Sequence, residues 1–303
     1  MGRLVEALNA CWRPHAAAAA ATAADALVST GPGPADPITL VDFKRDIRER
    51  HVWCSSCMIA FEGTEPIGVL IGAKRPTETL VDRIAVRPDR VRKGHGRHML
   101  DSLGSKIAIL GPPRLAAEIH DDLPAAAAFF AACGYAPGGM LTDWILDDGA
   151  VLAAAVASSA PGGAFAVPVT VADLAANRLL ADPPGVAWDR AVATLVARAE
   201  SLHGLGLATV DRIEAFALYR PTPGGGPGAV IDALGPMAGH TGEDHPDQAE
   251  SFRRLVAMVL ERTGPPLHLP RIAEAELPAE WPKQWGFRAA SRRRRYTAAA
   301  RAG

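Results

Sequence analysis

Cysteine is scarce in this chain, with four in 303 residues, at positions 11, 54, 57 and 133. Cys54 and Cys57 form one isolated pair, and no second pair completes a tetrahedral thiolate site, so no metal is expected. Positions i and i+3 of a strand point to opposite faces, and the pair reads as packing rather than redox chemistry. Long apolar runs are missing as well. None approaches the ~20 residues that span a bilayer. The alanines at 16–21 are too weakly apolar for a secretory signal, and Glu6 spoils a basic lead. A protein with no membrane partner and a cytoplasmic location is expected. Neither sign of charge prevails, the formal net charge being −1. That balance argues against nucleic-acid binding, which normally shows a basic surplus. What remains is an ordinary soluble composition, 49% apolar, long enough for one or two substantial cores.

The informative stretch is 79–103. A β-branched run ends at Val86, and Pro88 stops it. A short basic loop follows, Arg92-Lys93-Gly94-His95-Gly96-Arg97, and then an apolar helical pattern of Met99, Leu100, Leu103 and Ile107. A strand, a cationic Gly-x-Gly loop and a helix N-terminus together capture polyanionic phosphate. The glycines admit the backbone closely, and the first helical N–H groups point at the ligand. Arg92, Lys93 and Arg97 add charge where a helix end is already worth ~0.3–1 kcal/mol to an anion. No Gly-Lys-Ser/Thr follows, so this is not a Walker loop, and a third glycine is lacking for a dinucleotide fingerprint.

The register of Val86, Pro88, Gly94, Gly96 and the helix resembles motif A of the GNAT N-acetyltransferase superfamily. The first loop position of that motif, usually Arg or Gln, is Val91 here, flanked by Arg90 and Arg92. The similarity extends over 52–148. Residues 58–72 read as a hairpin turned at 62–66, and 114–120 as the next strand. An alanine-rich helix then closes at Cys133-Gly134-Tyr135. Where the superfamily typically has Asn, Ala and Tyr in this last segment, the chain has Leu123, Ala126 and Phe130. The resemblance implies an α+β fold with a central mixed sheet flanked by helices, and acetyl-CoA as co-substrate. It places the pyrophosphate on Arg92, Lys93, Gly94, His95, Gly96 and Arg97. The pantetheine arm and thioester would lie along the main chain of Ile84, Ala85 and Val86.

The second half repeats the order of the first. A linker rich in Ala, Gly, Ser and Pro is followed by a strand at 166–170, a helix at 188–202, and strands at 207–210 and 213–219 turned at Asp211-Arg212. Residues 229–237 hold the motif A strand position. A helix at 248–261, a strand at 267–270 and Trp285-Gly286-Phe287 complete the order. The expected organisation is a first unit over 1–148 with a helical N-terminal extension, a linker over 149–165, and a degenerate second unit over 166–303. Where the second unit should carry a phosphate loop stand Glu243, Asp244 and Asp247, so one coenzyme site per chain is expected. The first unit opens with two helices instead of a strand, the second at 40–51. The missing strand would be supplied by the second half or by another subunit, as in a homodimer. The arginine run within 291–296 reads as a solvated edge strand guarded against aggregation.

Enzymes of this superfamily work by proximity, which alone supplies several kcal/mol. The remaining demand is deprotonation of an amine, since neutralising an ammonium of pKa ~10.4 at pH 7 costs roughly 4–5 kcal/mol. Glu118, five residues before Leu123, is the first candidate base; some superfamily members carry a catalytic Glu at this position. His120 shares its strand face and could relay a proton, and Asp82 is a weaker contender. Phe130 cannot protonate the departing thiolate, leaving Tyr135 and His98 as alternatives. The resemblance therefore implies an N-acetyltransferase acting on an unidentified amine by direct attack. The alternatives are a non-catalytic acyl-CoA-binding regulator, motivated by Val91, Leu123 and Phe130, and, behind it, a nucleic-acid binder resting on the arginines.

Overall fold

The computed structural model describes residues 1–15, 36–152, 164–222, 224–235 and 246–300. The chain divides into two compact units, Met1–Gly138 with Arg294–Gly303, and Gly139–Arg293. This partition departs from the boundaries expected at 148 and 166. The end of the first unit's fifth strand goes to the second unit, and the chain's last ten residues go to the first. Each unit is a mixed sheet flanked by helices.

In the first unit, helix α1 (Gly2–Ala7) runs on through a π-helical turn, Leu8–Trp12. Ala7, Leu8 and Cys11 are wholly buried there. Helix α2 (Leu40–Arg50) starts at a reciprocal cap, in which the Thr39 hydroxyl accepts from the Asp42 N–H and the Asp42 carboxylate accepts from the Thr39 N–H. It ends on His51 in the left-handed conformation, with φ 58°. Strands β1 (Met58–Glu62), β2 (Glu65–Lys74) and β3 (Glu78–Val86) form an antiparallel meander. Helix α3 (His95–Leu110) returns the chain to β4 (Arg114–His120), parallel to β3. Helix α4 (Pro124–Ala132) then leads into β5 (Ala136–Leu146). Leu70, Val81, Met99, Leu103, Leu115 and Phe130 pack in one core between sheet and helices. Cys54–Ser56 is a 3-10 turn ahead of β1. A side chain at Gly72 would lie 2.5 Å from the Ser56 carbonyl, which is why this turn can pack so closely.

The arginine-bearing last strand, β11 (Arg288–Ala299), is not a solvated edge. Within the first unit its 294–299 part neighbours β4. Arg295 is paired there with the carboxylate of Glu78 at 2.5 and 2.6 Å, both side chains nearly buried, and Tyr296 enters the core. Alternation places arginines on both faces, as expected, but one face is interior.

The second unit orders its strands as β11 (its 288–293 part), β5, β10 (Leu267–Ala273), β9 (Ala229–Gly235), β8 (Ile213–Pro221), β7 (His203–Ala208) and β6 (Phe165–Pro168). Only β9 and β10 run parallel among the pairings described there. Helices α5 (Val171–Ala176), α6 (Val192–Ala197), α7 (Pro246–Thr263) and α8 (Glu280–Gln284) accompany them. The helix expected at 188–202 is shorter than its pattern suggested. Trp188 and Arg190 are fully buried in a turn before α6, and the Trp188 carbonyl accepts from the Thr194 hydroxyl at 2.8 Å. The acidic stretch expected to replace a phosphate loop lies outside the described residues, apart from the backbone at Asp247.

Candidate coenzyme site in the first unit

Strands β3 and β4 pair over only three positions, Glu78 with Arg114, Thr79 with Leu115 and Leu80 with Ala116. Beyond them both strands continue, to Val86 and to His120, without pairing to each other. The cause lies in β3. Gly72 pairs with Val81 and Ile71 with Arg83, so Asp82 is one extra residue, a bulge that bends the strand away from its parallel neighbour. Helix α2 clamps that bulge. Arg50 donates to Asp82 through Nε at 3.1 Å and Nη2 at 2.5 Å, and Arg83 bonds Asp46 at 2.8 Å. Burial pushes the Asp46 carboxyl up, against the pull of Arg83. Asp82, the weaker candidate base, is thus held by a guanidinium, and its position is that of an anchor.

Peptide geometry decides which main-chain groups face the opening. The Arg87 N–H donates to Ile67 on β2 at 2.9 Å, so the Val86 carbonyl in the same planar peptide points away from β2. By alternation the N–H and C=O groups of Ile84 and Val86 face the gap, whereas those of Ala85 belong to the β2 ladder. Of the three residues expected to hold the arm, only two have main chain to offer.

At the end of β3 the chain is riveted by Arg87, bonded to Glu65 and Asp89, and by Arg90, bonded to Glu62. The loop then takes two left-handed residues, Arg92 with φ 66° and Gly94 with φ 86°. Alternating conformations of this kind make a concavity of N–H groups suited to an anion. Gly94 caps α3 without any side-chain cap bond, and its carbonyl accepts from His98 to close the first turn. The exposed N-terminus therefore carries donors and a positive dipole end that no side chain of its own cap serves. At Gly96 a Cβ would stand 3.2 Å from the Phe129 ring, so a side chain there would force that ring aside. Arg92 and Lys93 are exposed beside the loop. Arg97, expected to contact phosphate, instead donates to the Ala132 carbonyl at 3.1 Å and ties α3 to the end of α4.

Glu118 and His120 sit half-buried on the stretch of β4 that leaves β3. Leu115, Ala117 and Ile119 face the helix-side core, so Glu118 and His120 share the opposite face. His120 Nδ1 lies 3.9 Å from Asp122. Phe130 is in the core, edge-to-face with Tyr135 at 5.1 Å. The Tyr135 hydroxyl is buried without a partner, and burial pushes its proton affinity above that of an ordinary tyrosine, which makes it a poorer acid.

The second unit opens its parallel strands in the same way and fills the gap differently. Strands β9 and β10 pair only at Ala229 with Leu267 and Val230 with His268. Leu218 pairs with Ala233 and Tyr219 with Ile231, so Asp232 is again an extra residue. Into the opening comes Arg190, its side chain 1% exposed. It donates to Ile231 O at 2.9 Å and Pro270 O at 3.3 Å, and to both carboxylate oxygens of Glu276. Sequence reasoning missed this pair, and only the oddity of Arg190 within an apolar helical pattern signals it.

Comparison with known proteins agrees with this architecture. Residues 23–135 match the sequence model of the Acetyltransferase (GNAT) family. A tandem GNAT protein from the clavulanic acid biosynthesis pathway superimposes with TM-score 0.62 at 20% identity, over 99% of this chain and 96% of that one. A GCN5-related N-acetyltransferase from Kribbella flavida gives TM-score 0.54 at 12% identity, over 86% of this chain and 93% of that one. One from Sphaerobacter thermophilus gives 0.52 at 14%, over 80% and 79%. No curated protein sequence matches the chain. The segment 23–135 thus matches the GNAT family by sequence, and the chain as a whole has the fold of a tandem GNAT protein. Among the described residues no helix is long and apolar enough to cross a membrane.

Proposed function

We propose that the first unit transfers an acetyl group from acetyl-CoA to a primary amine by direct attack, with no covalent enzyme intermediate. The observation that carries this reading is the bulge-driven opening between β3 and β4, which ends at an uncapped, glycine-built helix N-terminus. The loop at 92–96 and the α3 N–H groups hold the pyrophosphate, and the main chain of Ile84 and Val86 lines up the arm. The amine nitrogen attacks the thioester carbonyl, the C–S bond breaks, and the thiol departs as thiolate. Glu118 takes the ammonium proton, directly or through water and His120. No phenol is offered to the thiolate by Phe130 or Tyr135, so the leaving group departs unassisted, as its modest pKa allows.

The core position of Phe130 also motivates a second reading, a regulator that binds acyl-CoA without turning it over. Release of free thiol from acetyl-CoA across a panel of amines, amino acids and peptides separates the two. Amine-dependent release supports the transferase, whereas binding without release under every acceptor supports the regulator.

A further inference from the structure

The Val86 carbonyl, turned toward the gap between β3 and β4, is occupied. His15 Nε2 donates to it at 2.8 Å. The helix that brings His15 there is docked firmly. The Cys11 thiol reaches the Pro66 carbonyl at 3.6 Å, and the Asn9 amide bonds both the N–H and the C=O of Ile38 at 2.9 Å. The imidazole itself is exposed, so it can turn aside without unpacking the helix.

We propose that His15 is a latch on the coenzyme channel, holding closed a main-chain acceptor that the amide-bearing arm of an acyl-CoA needs. This rests on the coenzyme reading given above. A pantetheine arm offers N–H donors that compete with the ring for the same oxygen, so the latch opposes the arm at Val86. The apparent affinity for the coenzyme is then lowered by the fraction of molecules in which the ring is turned away. An exposed neutral hydrogen bond sets the scale of that penalty at roughly 2–10-fold.

The test is calorimetric titration of the full chain and of its His15→Ala variant with two ligands, acetyl-CoA and adenosine 3′,5′-bisphosphate. The second ligand carries the adenosine, its 3′-phosphate and one of the two 5′-phosphates, but no arm. The latch requires the variant to bind acetyl-CoA about 2–10-fold more tightly while binding the bisphosphate as the parent does. Equal or weaker acetyl-CoA binding by the variant overturns the latch and leaves the coenzyme site standing. An equal gain for both ligands also overturns it, because the effect would then lie at the phosphate loop. Absence of acetyl-CoA binding in both proteins sinks the coenzyme reading, and the latch with it.

Discussion

Asp82 in the first unit and Asp232 in the second hold the same structural place, each being the extra residue of a bulge in the strand that precedes a long helix. Each is gripped by arginine: Asp82 by Arg50, and Asp232 by Arg220 at 2.7 and 2.8 Å with Arg198 nearby. The bulge opens the parallel strands, and the ion pair keeps the bulge from relaxing into a regular ladder. Both aspartate side chains are 3% exposed. Replacing Arg50 with Met would strip a buried carboxylate of its hydrogen-bonded guanidinium, leaving Arg83 Nε at 3.6 Å, and the loss should approach the ~3–5 kcal/mol typical of a broken buried pair. Denaturant unfolding should register that loss. A change within ~0.5 kcal/mol would mean that the pair does not hold the bulge.

The phosphate loop makes a separate demand on Gly96. A ligand at a hundred times its dissociation constant stabilises a fold by about 2.7 kcal/mol, which appears as a rise in melting temperature. Gly96→Asp adds a carboxylate at the helix N-terminus and presses on Phe129, 3.2 Å from the new Cβ. The acetyl-CoA-induced rise should vanish in this variant. An undiminished rise would place the coenzyme elsewhere.

In the second unit the opening is closed by chemistry rather than left for a ligand. Arg190 satisfies the Ile231 and Pro270 carbonyls at the same time and is itself neutralised by Glu276. Titration of the whole chain with acetyl-CoA should therefore give one site. A stoichiometry of two would require this buried pair to be displaced and would refute its role as a plug.

Burial of His268 makes a prediction about acid stability. Desolvation lowers its pKa from the ordinary 6.5 to about 4, against the opposing charge of Asp143 4.0 Å away. A native pKa below the unfolded one means that the unfolded chain binds more protons between those values. The contribution of His268 to stability is thus intact above pH 6.5 and is lost as the pH falls toward 4, by up to ~1.4 kcal/mol per pH unit. His268→Gln should flatten the stability profile in that window. An unchanged slope would assign the acid sensitivity to other groups.

The parts of this architecture legible in the sequence are those governed by local period and turn chemistry. The hairpin of β1 and β2, strand β3, the glycine loop with α3, and strand β4 all fall where alternation and glycine placement put them. What could not be read depends on pairing between distant segments. That Asp82 and Asp232 are bulged follows from their partners on neighbouring strands, although an aspartate breaking an apolar run at Leu80-Val81-Asp82 and Val230-Ile231-Asp232 is a trace of it. The arginines of β11 alternate as expected, but nothing local says that Glu78 waits for Arg295. Arg97 looks like a phosphate ligand until the end of α4 is folded beside it.

The chemistry of the site rests on Glu118. If it accepts the amine proton, directly or through water, Glu118→Gln should bind acetyl-CoA as before, because the loop and the main chain of β3 are untouched. Turnover should fall by ~10²–10⁴-fold, the usual worth of a positioned base. The loss should be greatest below the pKa of the acceptor and should shrink as the pH rises, since an amine already neutral needs no base. A residue that merely supports β4 behaves differently, with activity and melting temperature falling together at every pH. The deciding measurement is the pH profile of kcat/KM for both proteins, alongside their melting curves. Wild-type turnover near neutral pH in the Gln variant would make Glu118 structural and leave deprotonation to a solvent path, because Asp82 is already engaged by Arg50.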